Sequence, residues 1–168
     1  LIVQHNSPGF MSGLVNWLDG GCDLPVKVAE QGELLLPHTV YLAPDGRHLG
    51  VVGKSSVQLT DAAPVGGFRP SGTVLFNSVA QHFDAGVIAL ILTGMGEDGV
   101  QGLRAVRQAG GRIIAQDEKS SVVWGMPGAA VAAGLADLVL PLDSIPGRLV
   151  ELVASPGKGA SHGPHTRR

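Results

Sequence analysis

The stretch VIALILTGMGEDGVQGL (87–103) decides the fold of this chain. Its apolar run VIALIL (87–92) is followed by a glycine-rich turn, after which Leu103 and Val106 lie at helical spacing. A buried strand, a tight turn and a helix in this order are typical of a parallel βαβ unit. We therefore predict an α/β fold with a parallel sheet.

Further strands are predicted wherever short apolar runs are bounded by turn residues. These runs are LIV (1–3), VKVA (26–29), TVYLA (39–43), HLGVV (48–52), SVQL (56–59), RIIA (112–115) and LVL (138–140). Pro44, Asp45 and Gly46 predict a turn between two of them. Residues 26–60 are therefore expected to form a hairpin-rich insertion or an antiparallel edge.

Helices are predicted where apolar residues recur every three or four positions. The apolar face of the first helix would be formed by Phe10, Leu14, Trp17 and Leu18. Residues 74–83 and 145–152 show similar spacing, and Met126 begins another strand-to-helix connection. The predicted architecture is a doubly wound, mostly parallel sheet with helices on both faces and a small antiparallel hairpin region.

Length and composition indicate one domain. The 168 residues include 25 glycines, and only 15% of them are charged, which suits a sheet covered on both faces and joined by tight turns. We assign residues 1–154 to this domain. The tail SPGKGASHGPHTRR (155–168) is poor in apolar residues and is predicted to be disordered.

Charge and hydropathy argue against several classes of partner. The net charge of −2 provides no basic surface for nucleic acid. The longest apolar run falls far short of the ~20 residues that a membrane-spanning helix needs, and we find no signal peptide. The single cysteine, Cys22, cannot form an intrachain disulfide, which fits a reducing compartment. We expect a cytoplasmic protein without membrane insertion.

The glycine-rich turn matches a dinucleotide-binding pattern, but its charges oppose that function. Gly94, Gly96 and Gly99 give the spacing G-x-G-x-x-G. Glu97 and Asp98, however, lie at the helix end where a pyrophosphate would bind, and two carboxylates would repel two phosphates. A dinucleotide-binding protein therefore stays only an alternative interpretation.

His5 and Asp98 each come directly after a predicted strand and before a predicted helix. In open parallel sheets, ligands bind beyond the carboxyl ends of the strands, where both side chains would emerge. An aspartate bound to one imidazole nitrogen leaves the other nitrogen free as a general base. The pair therefore indicates part of a nucleophilic hydrolase, although Asp98 could serve only as a helix cap.

The remaining polar candidates are assigned lesser roles. His38, His48 and His82 are expected to be structural or solvent-exposed. Asp117 and Glu118 are expected to be exposed loop acids, with a role at the rim of the crevice as the alternative. No group of His, Cys or carboxylate residues has the spacing of a zinc site, so we predict no metal.

Several motifs follow one another in a characteristic order. They are QH (4–5), YLAPDGRHL (41–49), RPS (69–71), LTGMGEDGVQGL (92–103) and AQDEKSSVVWGMPGAA (115–130). This pattern resembles the catalytic domain of the CheB-type chemotaxis methylesterases, which remove methyl esters from receptor glutamates. The GMG-x-DG and QDE…SSVV-x-GMP segments are its most specific parts.

The resemblance implies a Ser-His-Asp triad in which His5 and Asp98 are two of the three members. It places Met95 and Gly96 beside the oxyanion site. It also implies glutamine deamidation as a second activity, methyl-accepting receptor helices as the protein substrate, an upstream receiver domain and no cofactor.

The chain departs from the family pattern at the nucleophile. The family's serine sits in a Gly-Ser-Thr-Gly-Gly turn after the first strand, whereas this sequence begins at the strand before His5. We therefore expect an N-terminally truncated domain that lacks its nucleophile and is inactive by itself. A binding or regulatory module without catalysis is the alternative.

Two smaller features bear on this departure. Ser7, Ser12, Ser71, Ser120 and Ser121 are not expected to replace the missing serine, because none lies in a strained strand-to-helix turn. Gly72 and Thr73 stand where the family commonly has an apolar residue and an aspartate, which weakens any binding role for that stretch.

Overall fold

Parallel strands form two separate pieces of sheet in the structure, a computed structural model that describes residues 1–154. The strands are β1 (Val26–Val28), β2 (Val40–Leu42), β3 (His48–Val52), β4 (Ser56–Thr60), β5 (Ile88–Ile91), β6 (Arg112–Gln116) and β7 (Leu138–Leu140). β1 pairs with β2, and β5, β6 and β7 pair in that order. β3 and β4 form an antiparallel hairpin.

Helices connect and cover these strands. They are α1 (Met11–Asp19), α2 (Gly72–Phe83), α3 (Val100–Gln108), α4 (Met126–Ala132) and α5 (Ile145–Ala154), with 3-10 turns at Asp84–Gly86 and Leu142–Ser144. The alternation β5-α3-β6-α4-β7-α5 confirms the predicted series of parallel βαβ units. The predicted tail, 155–168, lies outside the described residues. No helix within residues 1–154 is both long and apolar enough to cross a membrane.

Two predictions about strands need correction. The segment LIV (1–3) does not form a full strand, since only Ile2 makes an isolated parallel bridge, to Leu42. The block 26–60 is not wholly antiparallel, because β1 and β2 pair in parallel in the register Val26↔Val40. The connection between them covers residues 29–39, which is long enough to bring the chain back in the same direction.

The buried face of α1 differs in part from the prediction. Leu14 and Leu18 pack against a core cluster as expected. Met11 and Val15 are buried against Val26 and Leu42, whereas Phe10 and Trp17 are 69% and 74% exposed. The sequence pattern was ambiguous because apolar residues occupy two overlapping helical faces. Met11 and Val15, which lie four residues apart and face β1 and β2, form the buried side of the helix.

The largest core cluster lies around the strand, turn and helix quoted first. Leu103 and Val106 of α3 are fully buried and belong to one cluster with Ile91 of β5 and with Ile113 and Ala115 of β6. Burial of each large apolar side chain contributes about 1.5–3 kcal/mol. This packing fixes the turn between β5 and α3 relative to the sheet.

Helices α2 and α3 approach each other closely. A Cβ on Gly102 of α3 would lie 2.6 Å from the carbonyl oxygen of Thr73 and 2.7 Å from the Cβ of Phe76, both on α2. Only glycine permits this separation. The N-terminus of α2 is thereby held beside the turn that precedes α3.

Gly102→Ala should therefore destabilise the fold, although alanine favours a helix by up to about 1 kcal/mol over glycine. We expect a net loss of about 1–3 kcal/mol in the free energy of unfolding, because the backbone at Thr73 must move. Gly147→Ala is the matched control, since Gly147 is likewise the third residue of its helix but faces open space. Urea unfolding of both variants measures the difference, and equal stability of the two would contradict the close-approach argument.

Candidate active site

The imidazole of His5 and the carboxylate of Asp98 meet although 93 residues separate them. His5 Nε2 lies 2.9 Å from Asp98 Oδ2. His5 follows the bridge that Ile2 makes to β2, and Asp98 lies in the turn between β5 and α3. The structure therefore brings together the two residues that the sequence predicted as a pair.

Asp98 is held by the first turn of α2 as well as by His5. Its Oδ1 accepts hydrogen bonds from Ser71 Oγ at 2.7 Å and from the Thr73 N–H at 3.2 Å. Its Oδ2 accepts a hydrogen bond from the Gly72 N–H at 2.7 Å. The N-terminus of a helix favours a negative charge, and here that charge belongs to the protein itself. The Asp98 side chain is only 2% exposed.

These contacts determine the charge of Asp98. Burial by itself raises the pKa of the carboxyl group, but the hydrogen bonds from His5, Ser71, Gly72 and Thr73 outweigh burial and hold the pKa well below 3.8. Asp98 is therefore an anion at neutral pH. Because an ionised carboxylate only accepts hydrogen bonds, the proton between the two residues belongs to His5 Nε2.

His5 is held on one face by an aromatic ring. The rings of His5 and Phe68 are stacked, with centroids 4.1 Å apart and an angle of 14° between the planes. The His5 side chain remains 24% exposed, so it is open to a reacting group. With Nε2 bound to Asp98, Nδ1 is the nitrogen that can accept a proton.

The glycine-rich turn borders this pair. Met95 is 78% exposed, and Gly96 has a positive φ of 87°. Within residues 1–154, no hydrogen bond is found from the backbone N–H of either residue. Gly125 makes the turn possible, because a Cβ there would lie 2.6 Å from the Gly94 carbonyl and 3.0 Å from the Gly96 nitrogen. The oxyanion role of Met95 and Gly96 stays a prediction.

A buried amide joins this turn to the next loop. Gln116 at the end of β6 accepts a hydrogen bond from the Thr93 N–H at 2.8 Å through Oε1. Its Nε2 donates to the Ser120 carbonyl at 2.7 Å. The loops after β5 and β6 are thereby fixed to each other. Sequence reasoning missed Gln116, although a polar residue at the end of the run RIIAQ was a usable signal.

The other acids and serines either bond elsewhere or lie at the surface, as Ser7 and Ser12 do. Asp117 accepts hydrogen bonds from the Ser120 N–H and Oγ within its own loop, and Glu118 is exposed. Ser120 and Ser121 bond to that same loop, and Ser71 bonds to Asp98. No serine within residues 1–154 hydrogen-bonds to His5.

The remaining histidines have structural contacts or lie at the surface. His48 is buried at the start of β3, where Nε2 lies 3.2 Å from the Ala63 carbonyl oxygen. His82 lies on α2 and bonds to the Ser78 carbonyl, and His38 is exposed. Within residues 1–154, no group of three or more His, Cys, Asp or Glu is arranged to hold a metal ion.

The stretch 71–73 contributes more than the sequence indicated. The unusual residue Thr73 accepts a hydrogen bond from the Gly99 N–H at 2.8 Å through Oγ1, and its own N–H donates to Asp98. The Gly99 N–H at the start of α3 is therefore occupied by a side chain of α2. The contacts of Ser71, Gly72 and Phe68 were also missed, because nothing local in the sequence places this loop beside residue 98.

Asp98→Asn should destabilise the fold at neutral pH and much less in acid. The pKa of Asp98 is lower in the folded chain than the ordinary 3.8, so the charged form stabilises the fold above about pH 4 and this contribution is lost as the pH falls toward the folded pKa. We expect a loss of about 2 kcal/mol at pH 7 that shrinks below pH 4. Chemical unfolding across pH tests this, with the exposed Asp143→Asn as control. A pH-independent difference would contradict the assigned charge.

Comparison with known proteins identifies a family over most of the chain. Residues 1–149 match the family model described as CheB methylesterase. The chain is 60% identical over 145 residues to the protein-glutamate methylesterase/protein-glutamine glutaminase of group 3 operon from Rhizobium meliloti, covering 86% of this chain and 41% of the relative. It is 54% identical to protein-glutamate methylesterase/protein-glutamine glutaminase 4 from Myxococcus xanthus, covering 94% of this chain and 44% of the relative.

A solved structure gives the same result. The Thermotoga maritima CheB methylesterase catalytic domain matches with a TM-score of 0.86 and 40% identity, covering 89% of this chain and 81% of that one. The chain spans about two fifths of the length of the curated relatives it matches. The predicted resemblance is confirmed: this chain belongs to the CheB methylesterase family.

Proposed function

We propose that this chain supplies the histidine and aspartate of a serine-type hydrolase that cleaves methyl esters of protein glutamates. The observation that carries this proposal is the hydrogen bond between His5 Nε2 and an ionised, buried Asp98. The printed names of the relatives, protein-glutamate methylesterase and protein-glutamine glutaminase, support the choice of substrate.

The proposed reaction gives each residue a step. His5 Nδ1 takes the proton of the attacking hydroxyl, and Asp98 stabilises the imidazolium that forms. The carbonyl oxygen becomes negatively charged in the tetrahedral intermediate, where the N–H groups of Met95 and Gly96 are available as donors. His5 then returns the proton to the leaving methanol. Water repeats the sequence on the acyl-enzyme and releases glutamate.

The proposed reaction also needs a serine hydroxyl, and the described residues offer a place for a segment that would carry it. Within residues 1–154, β5 pairs only with β6, so its other edge has unpaired backbone groups. A groove along that edge is lined by Leu1, Phe76, Val79, Ile88 and Ala89. An apolar strand added there would end at the same rim of the sheet as His5 and Asp98, and a serine turn following it would reach them.

The biological setting follows from the same proposal. The substrates are methylated or amidated side chains on methyl-accepting receptors, and the same dyad would release ammonia from glutamine. We infer a cytoplasmic location, where receptor signalling domains are accessible. The upstream receiver domain stays a prediction.

Ester hydrolysis should depend on both members of the dyad. The chain preceded by a strand and a Gly-Ser-Thr-Gly-Gly turn should release methanol from a methylated receptor fragment. His5→Ala and Asp98→Ala should each lower kcat on the order of 10³-fold or more, because a triad acts as a unit.

His82→Ala is the control, because His82 lies at the opposite end of α2 from the turn that binds Asp98. It should leave methanol release unchanged. Full turnover in the His5 and Asp98 variants would overturn the dyad, and an inactive parent protein would favour a binding module.

A further inference from the structure

Phe68 is the aromatic partner of His5, and its place in the fold is specific. It ends a tight turn in which Val65 and Phe68 exchange two backbone hydrogen bonds of 3.0 Å. Phe68 does not belong to any of the three core clusters. The contact between its ring and His5 is therefore not a by-product of core packing.

The loop that carries Phe68 is fixed on the side of β4. Arg69 donates hydrogen bonds of 3.2 Å to the carbonyls of Asp61 and Ala62. Arg47 in turn donates to the Asp61 carboxylate at 2.9 Å. These contacts fix the backbone next to Phe68, and thereby the position of its ring beside His5.

One short segment thus holds both members of the dyad. Phe68 covers a face of the His5 ring, and three to five residues later Ser71, Gly72 and Thr73 bind the Asp98 carboxylate. A displacement of this segment would move the base and its partner together. The segment 68–73 is therefore the physical link between them.

The two constraints on His5 are complementary. A hydrogen bond at Nε2 fixes one atom of the ring but still allows the ring plane to turn about that bond. A stacked ring at 4.1 Å restricts the plane. Together they determine the direction of Nδ1, and a base displaced by about 1 Å can cost roughly 100-fold in rate.

We propose that Phe68 is a positioning residue for His5, which sets the plane of the imidazole so that Nδ1 points at the nucleophile. This inference rests on the proposed function for its catalytic consequence. The orientation of the ring is a property of the chain itself and can be measured without turnover.

The first test uses nitrogen-15 NMR of the 168-residue chain. His5 should show a single tautomer with a slowly exchanging Nε2–H. Phe68→Leu should broaden or lose that proton signal and mix the tautomers, whereas Phe68→Tyr, which keeps the ring, should preserve it. Val65→Ala is the control from the same turn. Thermal unfolding of each variant confirms that it is folded.

The second test uses the serine-completed protein described above. Phe68→Leu should lower kcat about 10- to 100-fold with little change in KM, and Phe68→Tyr should restore kcat. An unchanged His5 signal in Phe68→Leu, or equal damage from Leu and Tyr, would overturn the positioning role. If the parent protein hydrolyses no ester, the proposed function fails, and the NMR result alone decides the role of Phe68.

Discussion

A carboxylate buried at the N-terminus of a helix is the constraint on which the rest of the site depends. Asp98 accepts hydrogen bonds from two backbone N–H groups, one hydroxyl and one imidazole. A buried carboxylate without these donors would become protonated or destabilise the fold. With them it is a fixed negative charge that determines which nitrogen of His5 carries a proton.

The same constraint connects the core to the site. The turn that carries Asp98 is set by the packing of β5 and α3, and the donors that bind it are set by α2. Gly102 allows α2 and α3 to approach closely, and Thr73 accepts a hydrogen bond from Gly99 across that contact. A change in the packing of α2 against α3 is therefore expected to move the Asp98 carboxylate and, with it, the His5 imidazole.

Much of this arrangement could be predicted from the sequence, because its signals are local. Short apolar runs between turn residues predicted β3 and β7 with their observed bounds, and the positions of His5 and Asp98 after predicted strands indicated that the two meet at one rim. Phe10 and Trp17 were wrongly placed on the buried face of α1, and β1 and β2 pair in parallel although an antiparallel block was predicted. Both features depend on which neighbour each element meets. Phe68 and Ser71 were not assigned to the site for the same reason: their partners lie 63 and 27 residues away.

The ionisation of Asp98 tests this account most directly. Carbon-13 NMR can follow the Asp98 carboxyl carbon during an acid titration, with Asp98→Asn used to assign the resonance. We expect the signal of an ionised carboxylate at every pH down to well below 3.8, or until the chain unfolds. A protonation midpoint at or above 3.8 in the folded chain would show that the donors of α2 and His5 do not hold this charge.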